Sequence, residues 1–243
     1  MMELGGQTAL VTGAGQRIGA VCAEALAKAG VRLALHAHQS RQAAQTLQAR
    51  IRQQGGEAEL FFADLSDGQQ ATRLFEQVTE QMGCLQILVN NAAIFHPSTL
   101  ADLSLDAWQK MMAINLTAPF LLMQQFARQK KIEAGAVIIN LIDQRIVRPR
   151  PGHLAYTVAK SGLWTLSQMA AVELAPTIRV NAIAPGPILP AADAAQETFQ
   201  RIVAATPLQR SGSAQDIVEA LLFLLKQPFI TGQLLFVDGG EHL

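Results

Sequence analysis

The sequence predicts an α/β fold, a doubly wound parallel sheet of about seven strands with helices on both faces. Three observations support this prediction. Short β-branched and aliphatic runs alternate with longer stretches of helical period. The runs are apolar almost throughout, as expected for strands that are covered on both faces. A glycine-rich turn directly follows the first run, which is typical of an α/β domain that binds an anion there.

Seven apolar runs are predicted as strands, and six stretches of helical period are predicted as helices. The strands are Thr8–Val11, Val31–Leu35, Glu59–Phe62, Ile87–Val89, Ala136–Leu141, Arg179–Ile183 and Leu234–Val237. The helices are residues 17–29, 40–54, 68–82, 105–130, 155–174 and 214–225. Ser66 with Gln69, and Ser213 with Asp216, predict capping boxes at two helix starts. Alternation of strand and helix implies parallel pairing through right-handed crossovers.

No repeat, linker or break in composition divides residues 1–243, so we expect a single Rossmann-type domain. One segment interrupts the rhythm, because Pro185 to Gln209 is rich in proline and alanine and joins no obvious pair of strands. A long excursion in a compact α/β domain is often a substrate lid, with an ordinary surface insertion as the alternative. We therefore predict a lid at approximately residues 187–209.

The composition excludes several classes of partner. The formal net charge is zero, with 19 basic and 19 acidic residues, so no basic field attracts nucleic acid or an anionic membrane. The longest apolar run, Ile217 to Leu225, is too short to span a bilayer. Cys22 and Cys84 form no disulfide framework, and no basic and apolar leader is visible. We expect a soluble, cytoplasmic protein without a metal site.

The glycine-rich turn, Thr12–Gly19, predicts a pyrophosphate site. Its glycines let the backbone approach the anion, and the next helix offers free N–H groups. A protein that binds NAD would carry an acidic residue at the end of the second strand, to bind the ribose 2′-hydroxyl. Residues 36–41 supply His, Ser and Arg instead, and no Asp or Glu occurs between Lys28 and Glu57. We therefore predict NADP(H), with a solvated helix start as the alternative account of Arg41 and the histidines.

Tyr156 and Lys160 predict the chemical centre. They are four residues apart on a predicted helix and therefore share one face. A nearby ammonium stabilises a phenolate and is expected to lower the pKa of Tyr156 from its usual value of about 10. Tyr156 would then donate a proton to a carbonyl or imine as hydride arrives. A helical Tyr with a Lys one turn later is often only surface decoration, but Tyr156 is the only tyrosine in the chain.

Five motifs occur in order along the chain. They are TGxxxxxG at 12–19, NNAA at 90–93, YTVAK at 156–160, NAIAPG at 181–186, and TG…DGG at 231–240. Together they resemble the short-chain dehydrogenase/reductase superfamily over essentially the full chain. The resemblance implies that Lys160 also holds the nicotinamide ribose and that Asn115 completes a proton relay through water. It also implies a homotetramer.

The same resemblance implies where the cofactor lies. Asp64 and Leu65 would flank the adenine, Asn91 and Ala92 would line the ribose and nicotinamide side, and Pro185 to Ile188 would border the nicotinamide. The full implied cofactor-binding set is Gly13, Gln16, Arg17, Ile18, Gly19, His36, His38, Gln39, Ser40, Asp64, Leu65, Asn91, Ala92, Ala93, Tyr156, Lys160, Pro185, Gly186 and Ile188.

Several residues resemble the pteridine reductase branch of this superfamily. Arg17 stands where most members have Gly or Ala, and Asp143 stands thirteen residues before Tyr156, where a serine usually binds the substrate carbonyl. The stretch 36–40 and Phe95 fit the same branch. The resemblance implies that Arg17 touches cofactor phosphate and pterin and that Phe95 stacks on the pterin ring. Asp143 would work with Tyr156 in protonating ring nitrogens.

The chemistry of a pterin suits these residues. A flat aromatic ring could lie between Phe95 and the nicotinamide by offset stacking. A partly protonated Asp143 could supply a proton to nitrogen, and its charge would repel a Tyr156 phenolate, so the two should titrate as a coupled pair. Arg145, Arg148 and Arg150 could meet an anionic substrate tail, although a solvated loop is the more common account of such residues.

We therefore predict an NADPH-dependent reductase that acts on a pterin or dihydrofolate-type substrate. Its catalytic residues would be Asp143, Tyr156, Lys160 and Asn115, and its substrate contacts would come from Arg17, Phe95, Asp143 and Tyr156. A 3-oxoacyl-carrier-protein reductase or general carbonyl reductase is one alternative, because it would share the Tyr/Lys pair. A non-catalytic NADP-binding regulatory protein is the other.

Overall fold

A single parallel sheet of seven strands organises the structure, a computed structural model that describes residues 3–132, 135–190 and 196–243. The strand order is β3-β2-β1-β4-β5-β6-β7, and every pair is parallel in the described residues. The predicted doubly wound sheet is confirmed. The strands are β1 (Thr8–Val11), β2 (Arg32–Ala37), β3 (Ala58–Phe62), β4 (Ile87–Asn90), β5 (Ala136–Leu141), β6 (Ile178–Pro185) and β7 (Leu234–Val237).

The sheet is buried on both faces, which explains its apolar strands. Successive side chains of β1 point to opposite faces, so Leu10 joins one buried cluster and Ala9 and Val11 join the other. The order in which strands are added reverses between β1 and β4, because β2 and β3 lie on one side of β1 and β4 to β7 lie on the other. In open α/β sheets this reversal opens a crevice at the carboxyl ends of the strands, where ligands bind.

Helices cover both faces of the sheet. They are α1 (Arg17–Lys28), α2 (Arg41–Gln53), α3 (Gly68–Met82), α4 (Leu105–Met112), α5 (Ala118–Ala127), α6 (Leu154–Glu173), α7 (Gln196–Ala205) and α8 (Ala214–Lys226), with a π-helical turn at Ala113–Thr117 and a 3₁₀ turn at Gln144–Ile146. Within the described ranges, no helix combines the length and apolarity needed to cross a membrane.

The prediction of one helix over residues 105–130 is wrong. The π-helical turn separates α4 from α5, which ends at Ala127. Pro119 contributes to the break because it has no N–H and cannot complete the α-helical hydrogen bond to the carbonyl of Asn115. Hydrophobic periodicity persists through such a turn, so the pattern alone did not reveal it.

One of the two predicted capping boxes is confirmed. Ser213 accepts a hydrogen bond from the Asp216 N–H, and the Asp216 carboxylate accepts one from the Ser213 N–H, at the start of α8. The box predicted for Ser66 is wrong. Asp67 caps α3 instead, accepting from the N–H groups of Gln69 and its neighbour, while the Ser66 hydroxyl donates to Asp64.

The segment predicted as a lid contains a helix that the sequence analysis did not find. Helix α7 occupies residues 196–205, and none of its side chains is buried. Residues 191–195 of the predicted segment 187–209 lie outside the described residues. The lid therefore stays a prediction, and the described part of it is a short connection followed by a surface helix.

A buried arginine ties β6 to the end of α8. The Arg179 guanidinium donates to the carbonyls of Leu224, Leu225 and Ile230 at 2.8–3.0 Å, and the residue is 8% exposed. These hydrogen bonds are buried or part-buried, so loss of the guanidinium leaves the carbonyls unsatisfied. We expect Arg179→Leu to lower the free energy of unfolding by about 3 kcal/mol in urea titrations followed by circular dichroism.

Lys28→Ala is the matched control for this prediction. Lys28 pairs with Glu24 at 3.6 Å on the surface, where its side chain is 64% exposed. An exposed pair of this kind contributes less than about 1 kcal/mol. Equal losses in the two variants would show that burial does not set the contribution of Arg179.

Candidate active site

A cavity of about 460 Å³ lies at the carboxyl ends of the strands. It brings together every residue of the implied cofactor-binding set, together with Phe95 and Asp143. Five apolar residues of the lining were not predicted as site residues. Each lies one or two positions along the chain from a residue that was. They are Ile94, Ile114, Leu141, Ile142 and Leu189.

Glycine is required where the turn after β1 meets its neighbours. A Cβ on Gly19 would lie 2.3 Å from the Gly13 carbonyl oxygen, and one on Gly15 would lie 2.3 Å from Ser40 Oγ. Asn91 Nδ2 holds the turn from β4, donating to the carbonyl of Gly13 at 3.2 Å. The turn is therefore packed closely against the start of α1, with backbone N–H groups available to an anion.

His36 braces this turn and does not fit the predicted contact with a 2′-phosphate. It is 2% exposed, its Nδ1 accepts the Gly13 N–H at 3.2 Å, and its Nε2 lies 3.1 Å from the Ala63 carbonyl. Desolvation lowers the pKa of His36 to about 4, so the imidazole is neutral at neutral pH. A neutral ring with both nitrogens engaged supplies no cation to a phosphate.

The start of α2 favours an anion at the adenosine end of the cavity. Ser40 is the N-cap of α2, its side chain makes no capping hydrogen bond, and no acidic residue lies in the first turn. The positive end of the helix dipole therefore faces the cavity lining at Ser40. Arg41 lies outside the lining, with its guanidinium 4.4 Å from the centroid of the Phe62 ring.

We expect Ser40→Glu to weaken NADPH binding by about 30-fold, because the new carboxylate would oppose the 2′-phosphate where the helix dipole now favours it. NADH binding should change by less than about threefold, since NADH has no 2′-phosphate. Fluorescence titration with each cofactor measures both. Thr46→Glu is the control, because it adds the same charge to an exposed position of α2 away from the cavity. Equal weakening of both cofactors would contradict a 2′-phosphate at Ser40.

Arg17 connects the glycine turn to the segment after β6. Its backbone is left-handed (φ 54°), a conformation that costs a non-glycine residue of the order of 1–3 kcal/mol. Nη2 donates to the carbonyls of Pro190 at 2.7 Å and Leu189 at 3.5 Å. The guanidinium has three further N–H donors, on Nη1 and Nε, and Arg17 lines the cavity.

Tyr156, Asp143 and Lys160 meet at the opposite end of the cavity. The Tyr156 hydroxyl donates to Asp143 Oδ2 at 3.0 Å, and Asp143 Oδ1 accepts the Arg145 N–H at 2.8 Å. Lys160 lies one turn after Tyr156 on α6, as the spacing predicted, and its Nζ donates to the Leu141 carbonyl at 2.6 Å. The three side chains are therefore supplied by α6 and by the turn that follows β5.

The predicted lowering of the pKa of Tyr156 is wrong for this arrangement. Burial raises the pKa of Tyr156 well above its usual value, and the Asp143 carboxylate raises it further. Desolvation also raises the pKa of Asp143 and lowers that of Lys160 to about 8. Lys160 Nζ lies 5.8 Å from the Tyr156 ring centroid and bonds to a carbonyl. The site holds Tyr156 protonated, which is the state required of a proton donor.

Asn115 lies in the π-helical turn behind this group. Its side chain is fully buried, with Oδ1 accepting the Ile94 N–H and Nδ2 donating to the carbonyls of Ile94 and Met111. Asn115 does not line the cavity, and its side chain also donates to the Met111 sulfur at 2.9 Å, so both of its polar atoms have partners within the protein. Pro119 cannot donate to the Asn115 carbonyl, so a relay through Asn115 would use this main-chain oxygen.

Phe95 and His153 form an aromatic pair beside Tyr156. The Phe95 ring stacks on His153 with centroids 3.9 Å apart and an interplanar angle of 14°. Its edge contact with Tyr156 has a centroid distance of 4.7 Å and an angle of 83°. The Arg145 guanidinium carbon lies 5.7 Å from the Phe95 centroid. The sequence analysis identified Phe95 but assigned no role to His153.

Two of the three loop arginines are occupied elsewhere. Arg148 donates to the Leu243 carbonyl, and Arg150 pairs with the buried Glu241 at 3.1 Å. Only Arg145 lies beside the residues of the cavity. The fold therefore divides the three arginines, for which a solvated loop was the favoured account and contact with an anionic substrate tail the alternative.

Comparisons with known proteins cover nearly the whole chain. Residues 13–242 match a family model described as Enoyl-(Acyl carrier protein) reductase. A 3-oxoacyl-[acyl-carrier-protein] reductase of Synechocystis sp. is 33% identical over 245 residues, which are 99% of this chain and 98% of that protein. The FolM alternative dihydrofolate reductase 1 of Brucella canis, complexed with NADP, superposes with a TM-score of 0.94 at 33% identity, covering 99% of this chain and 95% of that one. A blue fluorescent protein from a metagenomic library, in complex with NADPH, superposes with a TM-score of 0.93 at 32% identity, over 100% of both chains.

Proposed function

Because the chain belongs to the short-chain dehydrogenase/reductase superfamily and is an NADP-dependent oxidoreductase, we propose that it reduces a pterin or dihydrofolate-type substrate. One observation carries this proposal: Tyr156 donates to the Asp143 carboxylate at 3.0 Å while its ring makes a T-shaped contact with the Phe95 ring. A proton donor and a carboxyl group that can exchange a proton with it thus lie together, with an aromatic ring against the donor. A flat heterocycle that needs a proton on nitrogen suits this combination.

The residues of the cavity fit the cofactor. Gly13 and Gly19 of the turn line the cavity, α1 and α2 begin at or directly after lining residues, and neither helix has an acidic residue in its first turn. Gly13 to Gly19 would hold the pyrophosphate, Ser40 the 2′-phosphate, and Lys160 the nicotinamide ribose. When bound, NADPH supplies the hydride.

Tyr156 is the group that donates the proton. Its raised pKa keeps the hydroxyl protonated until a substrate nitrogen accepts the proton. The phenolate that remains has the Lys160 Nζ 5.8 Å from its ring centroid. Asp143 holds the hydroxyl in place through their hydrogen bond. A protonated Asp143 replaces the charge repulsion of a carboxylate with a donor, and it returns a proton to Tyr156 or to the substrate.

The second candidate function is reduction of a 3-oxoacyl thioester or another carbonyl. The similarity to the Synechocystis 3-oxoacyl-[acyl-carrier-protein] reductase favours it, and the Tyr156–Lys160 pair serves both reactions equally well. Asp143 separates the two, because a serine at this position is implied for carbonyl reduction in this superfamily. A non-catalytic role suits the site less well, since Tyr156 and Lys160 are in place for proton transfer.

The test is NADPH oxidation by the purified protein, which is followed as the loss of NADPH absorbance at about 340 nm. Dihydrobiopterin, dihydrofolate and acetoacetyl thioester are supplied separately at matched concentrations. We expect turnover with the first two and at least about 100-fold lower kcat/KM with the thioester. Thioester turnover without pterin turnover would overturn the proposal and establish the second candidate. The homotetramer and the cytoplasmic location implied by the sequence stay proposals, which gel filtration and cell fractionation test.

A further inference from the structure

His153 covers one face of the ring that the proposed substrate would stack on. The two rings are nearly parallel, with centroids 3.9 Å apart. Phe95 lines the cavity, whereas His153 is absent from the lining within the described residues. The imidazole therefore occupies one face of Phe95, and of the two rings it is Phe95 that reaches the cavity.

The backbone fixes the position of His153. Residues 98 and 153 form an isolated parallel bridge. In it, the Ser98 N–H donates to the Gly152 carbonyl at 2.7 Å and the Leu154 N–H donates to the Ser98 carbonyl at 3.2 Å. The Thr157 N–H and hydroxyl both donate to the His153 carbonyl, at 3.0 Å and 2.9 Å, in the first turn of α6. His153 is thereby held at the start of the helix that carries Tyr156.

The imidazole is oriented by a second contact. His153 Nδ1 lies 3.2 Å from the His96 carbonyl, which accepts a hydrogen bond, so Nδ1 carries the proton. His96 directly follows Phe95 in the chain. The His153 side chain therefore holds the Phe95 segment by a hydrogen bond to the His96 carbonyl, and it holds the Phe95 ring by stacking on it. Without it, the Phe95 ring would lose one of the contacts that restrict its side-chain torsions.

We propose that His153 is a positioning residue that makes the site selective for flat heterocycles. By holding Phe95 in its T-shaped contact with Tyr156, it keeps the aromatic ring at a fixed distance from the proton donor. A bicyclic substrate gains from this fixed plane, whereas an acyclic 3-oxoacyl group does not. The inference rests on the proposed function, because it concerns binding of a pterin-like ring at Phe95.

The experiment uses three variants that separate the ring from the hydrogen bond. His153→Ala removes both, His153→Phe keeps a flat ring, and His153→Asn keeps a donor near the position of Nδ1. Binding of biopterin to protein saturated with NADP⁺ is measured by calorimetry, because no hydride is then available for turnover. KM and kcat for dihydrobiopterin and the Kd of NADPH are measured beside it.

We expect the Ala and Asn variants to bind biopterin about 5- to 10-fold more weakly and to show KM raised by a similar factor, from the contribution of one aromatic pair. The Phe variant should stay within about twofold of the wild type, and kcat and NADPH binding should change little in all three. Wild-type strength in the Ala variant would overturn the inference, and so would loss in the Phe variant with wild-type strength in the Asn variant. Failure of the wild type itself to bind biopterin would instead overturn the proposed function, and the inference with it.

Discussion

Replacing Tyr156 with phenylalanine is expected to lower kcat for dihydropterin reduction by about 1,000-fold, because the variant lacks the hydroxyl that donates the proton. The ring is kept, so its edge contact with Phe95 should persist. Removing the hydroxyl also relieves Asp143 of its 3.0 Å hydrogen bond without leaving a void larger than one oxygen atom. NADPH binding should therefore change by less than about threefold.

Steady-state NADPH oxidation and fluorescence titration of NADPH test this prediction together. Val158→Ala is the control, because Val158 lies two residues further on the same helix and is 42% exposed. It should retain wild-type kcat. If Tyr156→Phe kept more than about a tenth of the wild-type rate, the main proton donor would be another group. Asp143, which already contacts the hydroxyl, would then be the first residue to test.

Replacing Asp143 with serine is expected to lower kcat/KM for dihydropterin by about 100-fold, while the rate with acetoacetyl thioester is maintained or rises. Serine cannot supply a carboxyl proton to nitrogen, but its hydroxyl can still bind a carbonyl oxygen. The variant should fold, since a serine side chain can also accept an N–H bond at a turn start, as Asp143 does from Arg145.

The pH profile gives this prediction a second measurement. Desolvation raises the pKa of Asp143, so its protonated form persists to higher pH than that of an exposed aspartate. If that form is needed, the wild-type rate with dihydropterin falls as pH rises through the raised pKa. The serine variant should lack this descending limb, and a limb of the same position in both proteins would assign it to another group, such as Lys160 with its pKa of about 8.

Asp102→Ser is the matched control for Asp143. Asp102 also accepts a backbone hydrogen bond at 2.8 Å, from Thr99, but it is exposed and lies outside the cavity lining. Neither activity should change in this variant. Equal losses of pterin and thioester activity in Asp143→Ser would show that the carboxylate only positions Tyr156, without selecting the substrate.

The sequence by itself determined the sheet and much of the cavity. Three of the seven strands begin and end where predicted, including β1 and β5, because apolar runs bounded by turn residues have strong local signals. Helical periodicity alone decided that Tyr156 and Lys160, four residues apart, share one face of the helix. The glycine turn followed from its position after β1. Parallel order then brought these motifs to one edge of the sheet, as in other doubly wound folds.

Only the tertiary structure decided the state of the side chains at that edge. Histidine is a residue type that can bind phosphate. At His36, however, burial and two long-range hydrogen bonds keep the imidazole uncharged and hold it against the glycine turn. Tyr156 has a lysine one turn away, yet desolvation and Asp143 raise its pKa instead of lowering it. His153 gave no signal at all until the bridge to Ser98 placed it against Phe95. Periodicity and spacing report on neighbours along the chain, whereas desolvation and ring stacking depend on groups that only the completed fold brings together.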